Sequence, residues 1–338
     1  MSCVSYALRS ILFSSMVLAP CLAQSPIQDI QLPGRPNGVV LNPLTNRVYV
    51  AVINVGSNVD GVAVIDGKTN SLVDTIMVRR GADLVAVDEL RNRVYAAGCE
   101  YSDTGRHCEL VTIDGATDQI LAVLPIDKPG GPFFMGLAVK PITNRIYLSH
   151  ISYSVVEAVD GKTNTLMTEI PFGVNNEEPY GLAVDSATNR IFTCNSRNEV
   201  VVIDGNNDKI TRRVSVAASI DPDSTATVAL DPLNGRMYVT VQNTYGPGTL
   251  DVLDQITLRL EAQVPIGRFS QGVAVDFFTG LVFAANQMDG TISVVDTRTN
   301  EVTATIPLDA SYVAANPAAT RRIYANDRVN NVLHVLAE

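Results

Sequence analysis

Apolar and polar positions alternate along most of this chain, and the alternation recurs as a unit of about 45 residues. Each unit opens with a small apolar stretch such as Gly136-Leu137-Ala138-Val139 and continues, after a short turn, with an aromatic-led stretch. A Val-rich stretch that ends in Asp follows, and one further alternating stretch completes the unit. Period-two alternation bounded by turn residues predicts strands, so each unit is predicted to form four short β-strands.

The second strand of each unit is the clearest marker of the repeat. Asn or Gly, which tolerate the positive φ of a tight turn, precedes a β-branched or aromatic residue suited to a half-buried strand. The copies are Asn46-Arg47-Val48-Tyr49, Asn92-Arg93-Val94-Tyr95, Asn144-Arg145-Ile146-Tyr147, Asn189-Arg190-Ile191-Phe192, Gly235-Arg236-Met237-Tyr238, Gly280-Leu281-Val282-Phe283 and Arg321-Arg322-Ile323-Tyr324.

These copies predict an all-β fold, a seven-bladed β-propeller of four-stranded antiparallel blades. The last unit is one strand short, because the chain stops soon after residues 332–336. The segment 27–33 resembles a fourth strand such as residues 303–307, so we expect the N-terminal strand to pair into the last blade and close the ring. Closure removes exposed sheet edges. Residues 24–338 are therefore predicted to form a single domain.

The third strand of most units ends in a carboxylate. An Asp side chain accepts hydrogen bonds from backbone N–H groups ahead of it and stabilises a turn. One carboxylate per unit favours this turn chemistry over a metal or catalytic site, which needs one or two special residues. The residues are Asp66, Asp114, Asp160, Asp204, Asp254 and Asp296.

The first residues are typical of a signal peptide. Arg9 is the lone charge, residues 11–18 are apolar, and Cys21-Leu22-Ala23 supplies small residues at a cleavage site. We expect removal of residues 1–23 and a periplasmic or secreted protein with no transmembrane segment. The alternative is a lipoprotein acylated on Cys21, although Pro20 stands where a small residue is preferred.

Cys99 and Cys108 flank the predicted loop between two adjacent strands, where antiparallel pairing brings side chains near disulfide distance. An exported protein permits this disulfide, and two free thiols are the alternative. Cys194 is predicted to be a small buried residue. The formal net charge of −10 gives no basic footprint, so no nucleic-acid partner is expected.

The sequence carries few groups for catalysis. His107, His150 and His334 lie at non-equivalent positions of different units, without metal-ligand spacing, and a Cys-x-x-Cys-His haem motif is missing. His150, at the end of a second strand, is predicted to be a partly exposed loop residue. No cofactor and no metal are expected.

The connections of the predicted blades assign a binding face. Those between the first and second and between the third and fourth strands are stereotyped, whereas the others vary in length and content. Variable loops usually mark the binding face, so residues that begin first strands or end second strands there are candidate ligand contacts. They are Asn37, Arg80, Asp83, Met135, His150, Tyr180, Asn195, Gln271, Asn286 and Tyr312.

The repeat resembles the YVTN-type β-propellers, including the exported YncE-like proteins. Phe192-Thr193-Cys194-Asn195, Phe283-Ala284-Ala285-Asn286 and Tyr238-Val239-Thr240 are similar to the Tyr-Val-Thr-Asn strand of that family. The resemblance covers essentially the whole mature chain and implies the fold. It does not specify the function, because propellers host many unrelated activities.

We expect a monomer that serves as a binding or scaffold module for a protein, a peptide or a small ligand on its variable face. The sequence is more consistent with a protein that is not an enzyme. The alternative is a lactonase-like hydrolase or lyase at the channel mouth. Its only plausible contributors are Asp83, Glu178, His150 and Asn195. A third hypothesis is an architectural role in the cell envelope.

Overall fold

The strands form where the alternation predicts them, because each places one face of small or branched residues against a neighbouring blade. The computed structural model describes residues 26–53, 60–102, 105–126, 134–173, 177–216, 225–316 and 321–337. The predicted signal peptide, residues 1–23, lies outside the described residues. So do residues 54–59, 127–133, 174–176 and 217–224, which belong to the variable connections of the sequence prediction.

The described residues form seven four-stranded antiparallel sheets, which confirms the predicted propeller. Six blades are consecutive in the chain. The first two blades are β2(Arg35–Asn42), β3(Arg47–Ile53), β4(Gly61–Asp66), β5(Ser71–Met77), and β6(Leu84–Asp88), β7(Arg93–Ser102), β8(Gly105–Asp114), β9(Ile120–Pro125). The third and fourth are β10(Phe134–Lys140), β11(Arg145–His150), β12(Val155–Asp160), β13(Thr165–Pro171), and β14(Pro179–Asp185), β15(Arg190–Asn195), β16(Glu199–Asp204), β17(Lys209–Ser215). The fifth and sixth are β18(Thr225–Asp231), β19(Arg236–Val241), β20(Gly248–Asp254), β21(Leu260–Ile266), and β22(Ser270–Asp276), β23(Leu281–Asn286), β24(Thr291–Asp296), β25(Glu301–Ile306).

The seventh blade joins the two ends of the chain. It consists of β26(Val313–Asn316), β27(Arg322–Asp327), β28(Val332–Ala337) and the N-terminal strand β1(Pro26–Gln31), in the order β1-β28-β27-β26. Asp29 pairs with His334, and the two side chains approach to 2.7 Å between Oδ1 and Nδ1. Ile30 is buried against Leu333 and Val335. The predicted closure of the ring by the N-terminal strand is confirmed.

Turn residues behave as their chemistry predicts. Asn46, Asn92, Asn144 and Asn189 have φ between 51° and 60°. Asp66 Oδ1 accepts hydrogen bonds from the backbone N–H groups of Lys68 and Thr69, at 2.7 and 2.9 Å. The same pattern recurs at the turns opened by Asp114, Asp160, Asp254 and, with one such bond, Asp204 and Asp296. The turn interpretation of these carboxylates is confirmed.

One predicted boundary is wrong. The alternation predicts fourth strands at 72–78, 120–125, 166–170, 210–216, 258–264 and 302–307. The fifth of these would begin at Leu258, but that residue has φ of 59° and is buried in the turn before the strand. β21 therefore begins at Leu260, where extended backbone resumes.

Arginines on the first–second turns tie neighbouring blades together. Arg145 Nη1 donates to Gly205 O at 3.1 Å and to Asp208 Oδ2 at 2.9 Å, both in the next blade. Arg322 Nη1 likewise donates to Gly67 O at 2.7 Å, across the seam between the seventh and first blades. Arg47 and Arg236 reach Asp118 and Thr297 O in the same way. These contacts lie on the face of stereotyped turns, called the turn face below.

Candidate functional site

The first strands of the blades surround a central channel. Glycines there lie against the backbone of the next blade: a Cβ built on Gly136 would approach Tyr180 O to 2.5 Å, and one on Gly272 would approach Tyr312 Cα to 2.7 Å. Only glycine permits this close approach. The small first-strand residues therefore bring the blades together around a narrow axis.

A cavity of about 170 Å³ lies in this channel near the loop face, the end opposite the turn face. Residues from all seven first strands line it. They are Gly38, Val39, Leu84, Val85, Met135, Gly136, Leu137, Gly181, Leu182, Thr227, Gly272, Val273, Tyr312 and Val313. The lining residues are mainly glycine and aliphatic, and polar atoms make up more of the exposed wall than apolar atoms do.

Sheet register shows which of these positions are equivalent. Ala138, Ala274 and Ala314 each pair with the aromatic residue of the second strand. Two positions before them stand Gly136, Gly272 and Tyr312. Tyr312 thus occupies a place that is glycine in four of the blades, and it lines the cavity. Tyr180, the other tyrosine among the predicted ligand contacts, lies one position before the equivalent place in its own blade, where Gly181 stands.

The residue just outside this ring differs in every blade. Five of the ten predicted site residues are found here, and Met135 is the member that also lines the cavity. The seven residues are Asn37, Asp83, Met135, Tyr180, Ala226, Gln271 and Ser311. We call this set the mouth residues.

Two of the mouth residues carry buried amide oxygens without a hydrogen bond. They are Asn37 Oδ1 and Gln271 Oε1, for which no partner lies within the described residues. Asn37 Nδ2 donates to Asp83 Oδ1 at 3.4 Å. Because buried polar atoms in proteins are nearly always hydrogen bonded, these oxygens are available to a donor on a bound molecule or to water.

His150 does not reach the cavity. The prediction of a partly exposed loop histidine is wrong: the residue is fully buried, and its Nε2 lies 3.1 Å from Glu157 Oε2, which is buried as well. Phe134 packs edge-on against the imidazole, with ring centroids 4.4 Å apart. Tight pairing of β11 with β10 and β12 places the side chain inside its own blade.

Asn195, Asn286 and Arg80 are also used internally. Asn195 Oδ1 accepts from the backbone N–H groups of Arg197 and Glu199, both at 3.0 Å, and so stabilises the second–third connection. Asn286 is fully buried and accepts from Ser270 Oγ at 2.6 Å. Arg80 donates to Cys108 O at 2.8 Å. These three predicted ligand contacts therefore serve structural roles.

The contributors proposed for a hydrolase or lyase do not assemble at one point. His150 and Asn195 lie inside separate blades, as described above, and Glu178 accepts a hydrogen bond from the Tyr180 hydroxyl at 3.2 Å. Asp83 stands among the mouth residues. Within the described part of the chain, no group of three metal-ligating side chains occurs.

The structure shows the bonding state of Cys99, Cys108 and Cys194. Cys99 and Cys108 are opposite each other on β7 and β8 and form a disulfide. Cys194 is buried in the blade core, which confirms that part of the sequence prediction. No helix in the described ranges is long and apolar enough to cross a membrane.

Sequence reasoning missed two arginines at the mouth. Arg328 follows β27 in its connection to β28, and Arg35 begins β2. Burial lowers the pKa of Arg328, and the charge of Arg35 lowers it further, while Tyr312 and Asp83 oppose this effect. Burial also raises the pKa of Tyr312. Both arginines could have been found in the sequence from their positions. They stand at strand ends on the loop face, beside the predicted junction of the seventh and first blades.

The turn face carries a second feature absent from the sequence prediction. One apolar side chain stands exposed at the same turn position in five of the blades. They are Leu44, Leu90, Ile142, Leu233 and Phe278, between 62% and 68% exposed. This apolar set is separate from the cavity.

The ring of seven blades around a cavity defines the class of protein as a seven-bladed β-propeller. Sequence comparison relates it to YncE, an uncharacterized protein, from Salmonella typhimurium strain LT2 and Salmonella typhi. Each is 22% identical over 292 residues, covering 83% of this chain and 74% of the relative. The predicted resemblance to YncE-like β-propellers is confirmed.

Two further comparisons bear on the fold. No family model matches the chain. The chain superposes on a chain of Kuenenia stuttgartiensis hydrazine synthase with a TM-score of 0.72, covering 91% of this chain and 96% of the other, at 14% sequence identity. At that identity the likeness concerns the propeller fold alone.

Proposed function

We propose that this protein is an exported propeller that binds a small ligand, or a short segment of a peptide or protein, at the loop-face mouth of its central channel. The observation that carries the proposal is a break in the repeat around the mouth of the channel. Structural positions recur from blade to blade, whereas the mouth residues differ in all seven blades. In a repeat fold, positions that do not make the same packing contacts in every repeat can vary, and these positions can provide specific contacts to a ligand.

The chemistry of the mouth supports the same conclusion. The cavity offers both apolar and polar surface, and the buried oxygens of Asn37 and Gln271, which have no hydrogen-bond partner among the described residues, offer directional acceptors. Few polar groups around an apolar pocket fix the orientation of a ligand and give specificity. Export is supported by the sequence of residues 1–23.

A ligand screen by thermal shift, followed by NMR titration of the hits, tests this proposal on the chain from residue 24. Thr227 lines the cavity and is partly exposed, so Thr227→Trp should fill the channel with an indole. Thr143 is exposed on the turn face, so Thr143→Trp adds the same group away from the cavity. Hits should lose binding to the first variant by at least tenfold and keep it with the second. Equal binding to both variants would overturn the assigned site.

A further inference from the structure

The mouth of the channel holds two like charges beside the seam between the seventh and first blades. Arg328 is partly buried and Arg35 is exposed, and each lies two positions from one end of the hydrogen bond that Asn326 Nδ2 donates to Asn37 O across the seam. Within the described residues neither guanidinium has a hydrogen bond from its side chain or a carboxylate within 4 Å. Asp83 is the acidic group that acts on Arg328. Taking an unpaired cation partly out of water costs free energy unless a partner restores the lost interactions.

The surroundings hold this arrangement in place. Asn326 is fully buried, and its Oδ1 accepts from the backbone N–H groups of Ser311 and Tyr312 at 3.1 and 2.7 Å. Its Nδ2 donates to Asn37 O, on the other side of the seam. One asparagine therefore fixes Tyr312 of the cavity wall relative to Asn37 of the mouth. A site held by such internal contacts needs little rearrangement to bind.

We propose that Arg328, assisted by Arg35, binds the carboxylate of a small organic ligand whose less polar body enters the cavity lined by Tyr312 and Met135. The proposal rests on the function proposed above and names the ligand class for that site. A guanidinium presents a planar fork of donors that matches a carboxylate. A hydroxyl or amino group on the ligand would donate hydrogen bonds to the acceptors Asn37 Oδ1 and Gln271 Oε1.

The acidic surroundings favour a monoanionic carboxylate over a phosphate. Asp83 stands at the same mouth, and the chain carries a formal net charge of −10. A dianion meets more repulsion from both than a single carboxylate does. Aliphatic residues of the cavity wall, such as Leu137 and Val273, provide contact for the organic body of such a ligand.

The test uses matched probes that differ only in charge. Benzoate and 3-hydroxybutyrate are titrated against the propeller by NMR, with benzamide and 3-hydroxybutyramide as neutral counterparts and inorganic phosphate as the other anion. We expect at least one carboxylate to bind at least tenfold more tightly than its amide and than phosphate, and to perturb Tyr312. Arg328→Gln should weaken that binding by tenfold or more, and Arg328→Lys should weaken it less.

Arg212→Gln is the matched control, because Arg212 is exposed on an outer strand of the fourth blade and should leave binding unchanged. Equal binding of carboxylate by Arg328→Gln and the wild type, or no carboxylate binding at all, would overturn the inference. If the amides bind at the cavity and lose binding in Thr227→Trp, the proposed site stands and only the ligand class is wrong. Tighter binding of phosphate than of either carboxylate would also contradict the class.

Discussion

At the residue scale, the arginine of the Asn-Arg turn does more than mark a turn. Its guanidinium leaves its own blade and reaches the third–fourth turn of the next one, as Arg145 does to Gly205 and Asp208. The turn itself could be predicted from Asn144, because positive φ is a local property. The partner of Arg145 could not be predicted, since it lies about 60 residues away and becomes adjacent only when neighbouring blades pack together.

Arg145→Ala should destabilise the propeller by about 1–3 kcal/mol, because it removes charge-assisted hydrogen bonds and leaves Asp208 without its cation. Urea denaturation followed by circular dichroism measures the change. Arg212→Ala removes an exposed arginine of the neighbouring blade and should change stability by less than about 0.5 kcal/mol. Equal effects of the two substitutions would contradict a role of Arg145 in joining blades.

Buried tyrosines should make the fold sensitive to alkali. Burial, followed by the charge of Asp118, raises the pKa of Tyr49 to about 12, and burial with Asp231 raises that of Tyr238 to about 12. An unfolded tyrosine ionises near pH 10, so the stabilisation is fully present below about pH 10 and is lost as pH rises through 12. The loss should be on the order of 2 kcal/mol per tyrosine.

Tyrosinate absorbance and circular dichroism, recorded together between pH 8 and pH 13, check this expectation. Late ionisation should coincide with loss of β-structure, and Tyr238→Phe should move the alkaline transition to higher pH. Complete ionisation of all tyrosines near pH 10 with the β-signal intact would show that burial does not protect these phenols.

At the scale of elements, strand positions follow from the sequence because alternation and turn residues act over only a few positions. The predicted fourth strands lie within two residues of their observed bounds. The start at Leu258 is wrong because this turn has a positive φ at a residue other than Asn or Gly. The candidate site was predicted less well. His150 and Asn286 end second strands as expected, but whether a strand end faces solvent or its own sheet depends on register and on neighbouring strands.

The hairpin of β7 and β8 is held by a disulfide and by Arg80, which donates to Cys108 O. The double variant Cys99→Ala, Cys108→Ala should lower the free energy of unfolding by about 2 kcal/mol, chiefly by freeing the unfolded chain. Urea titrations with and without reductant measure it. Reductant should lower the stability of the wild type and leave the variant unchanged. A wild type whose midpoint does not respond to reductant would contradict this expectation.

At the scale of the whole molecule, the repeat made the ring predictable. Seven units of one pattern, with the last lacking a strand, leave the N-terminal segment as the natural completion of the sheet. The mouth of the channel was harder to anticipate. Arg35 and Arg328 stand at opposite ends of the sequence, and Tyr312 takes a glycine position that only register identifies. Repetition predicts shared structure well and predicts poorly the positions where blades differ.

Closure by β1 can be tested with two isoleucines of the same strand. Ile30 is 5% exposed and packs in the seam, whereas Ile27 is 51% exposed. Ile30→Asp should destabilise the protein by about 3 kcal/mol or more and uncover the edge of β28, because a carboxylate would be buried without a partner. Ile27→Asp should have little effect.

Urea denaturation and light scattering after size-exclusion chromatography read out both variants. Aggregation or oligomers are expected for Ile30→Asp only. Identical stability and mass for the two variants would mean that β1 contributes nothing to the seventh blade.

The side chains of Asp29 and His334 are hydrogen bonded although 305 positions separate them in the sequence. A ribosome therefore makes Ile30 about 300 residues before its covering residues, Leu333 and Val335. Until then this apolar segment has no sheet to join, and contacts between such distant parts of a chain form slowly. A chain that lacks β28 therefore leaves β1 without its partner strand. We expect a chaperone that recognises unpaired strands to bind such a chain and to leave the closed propeller alone.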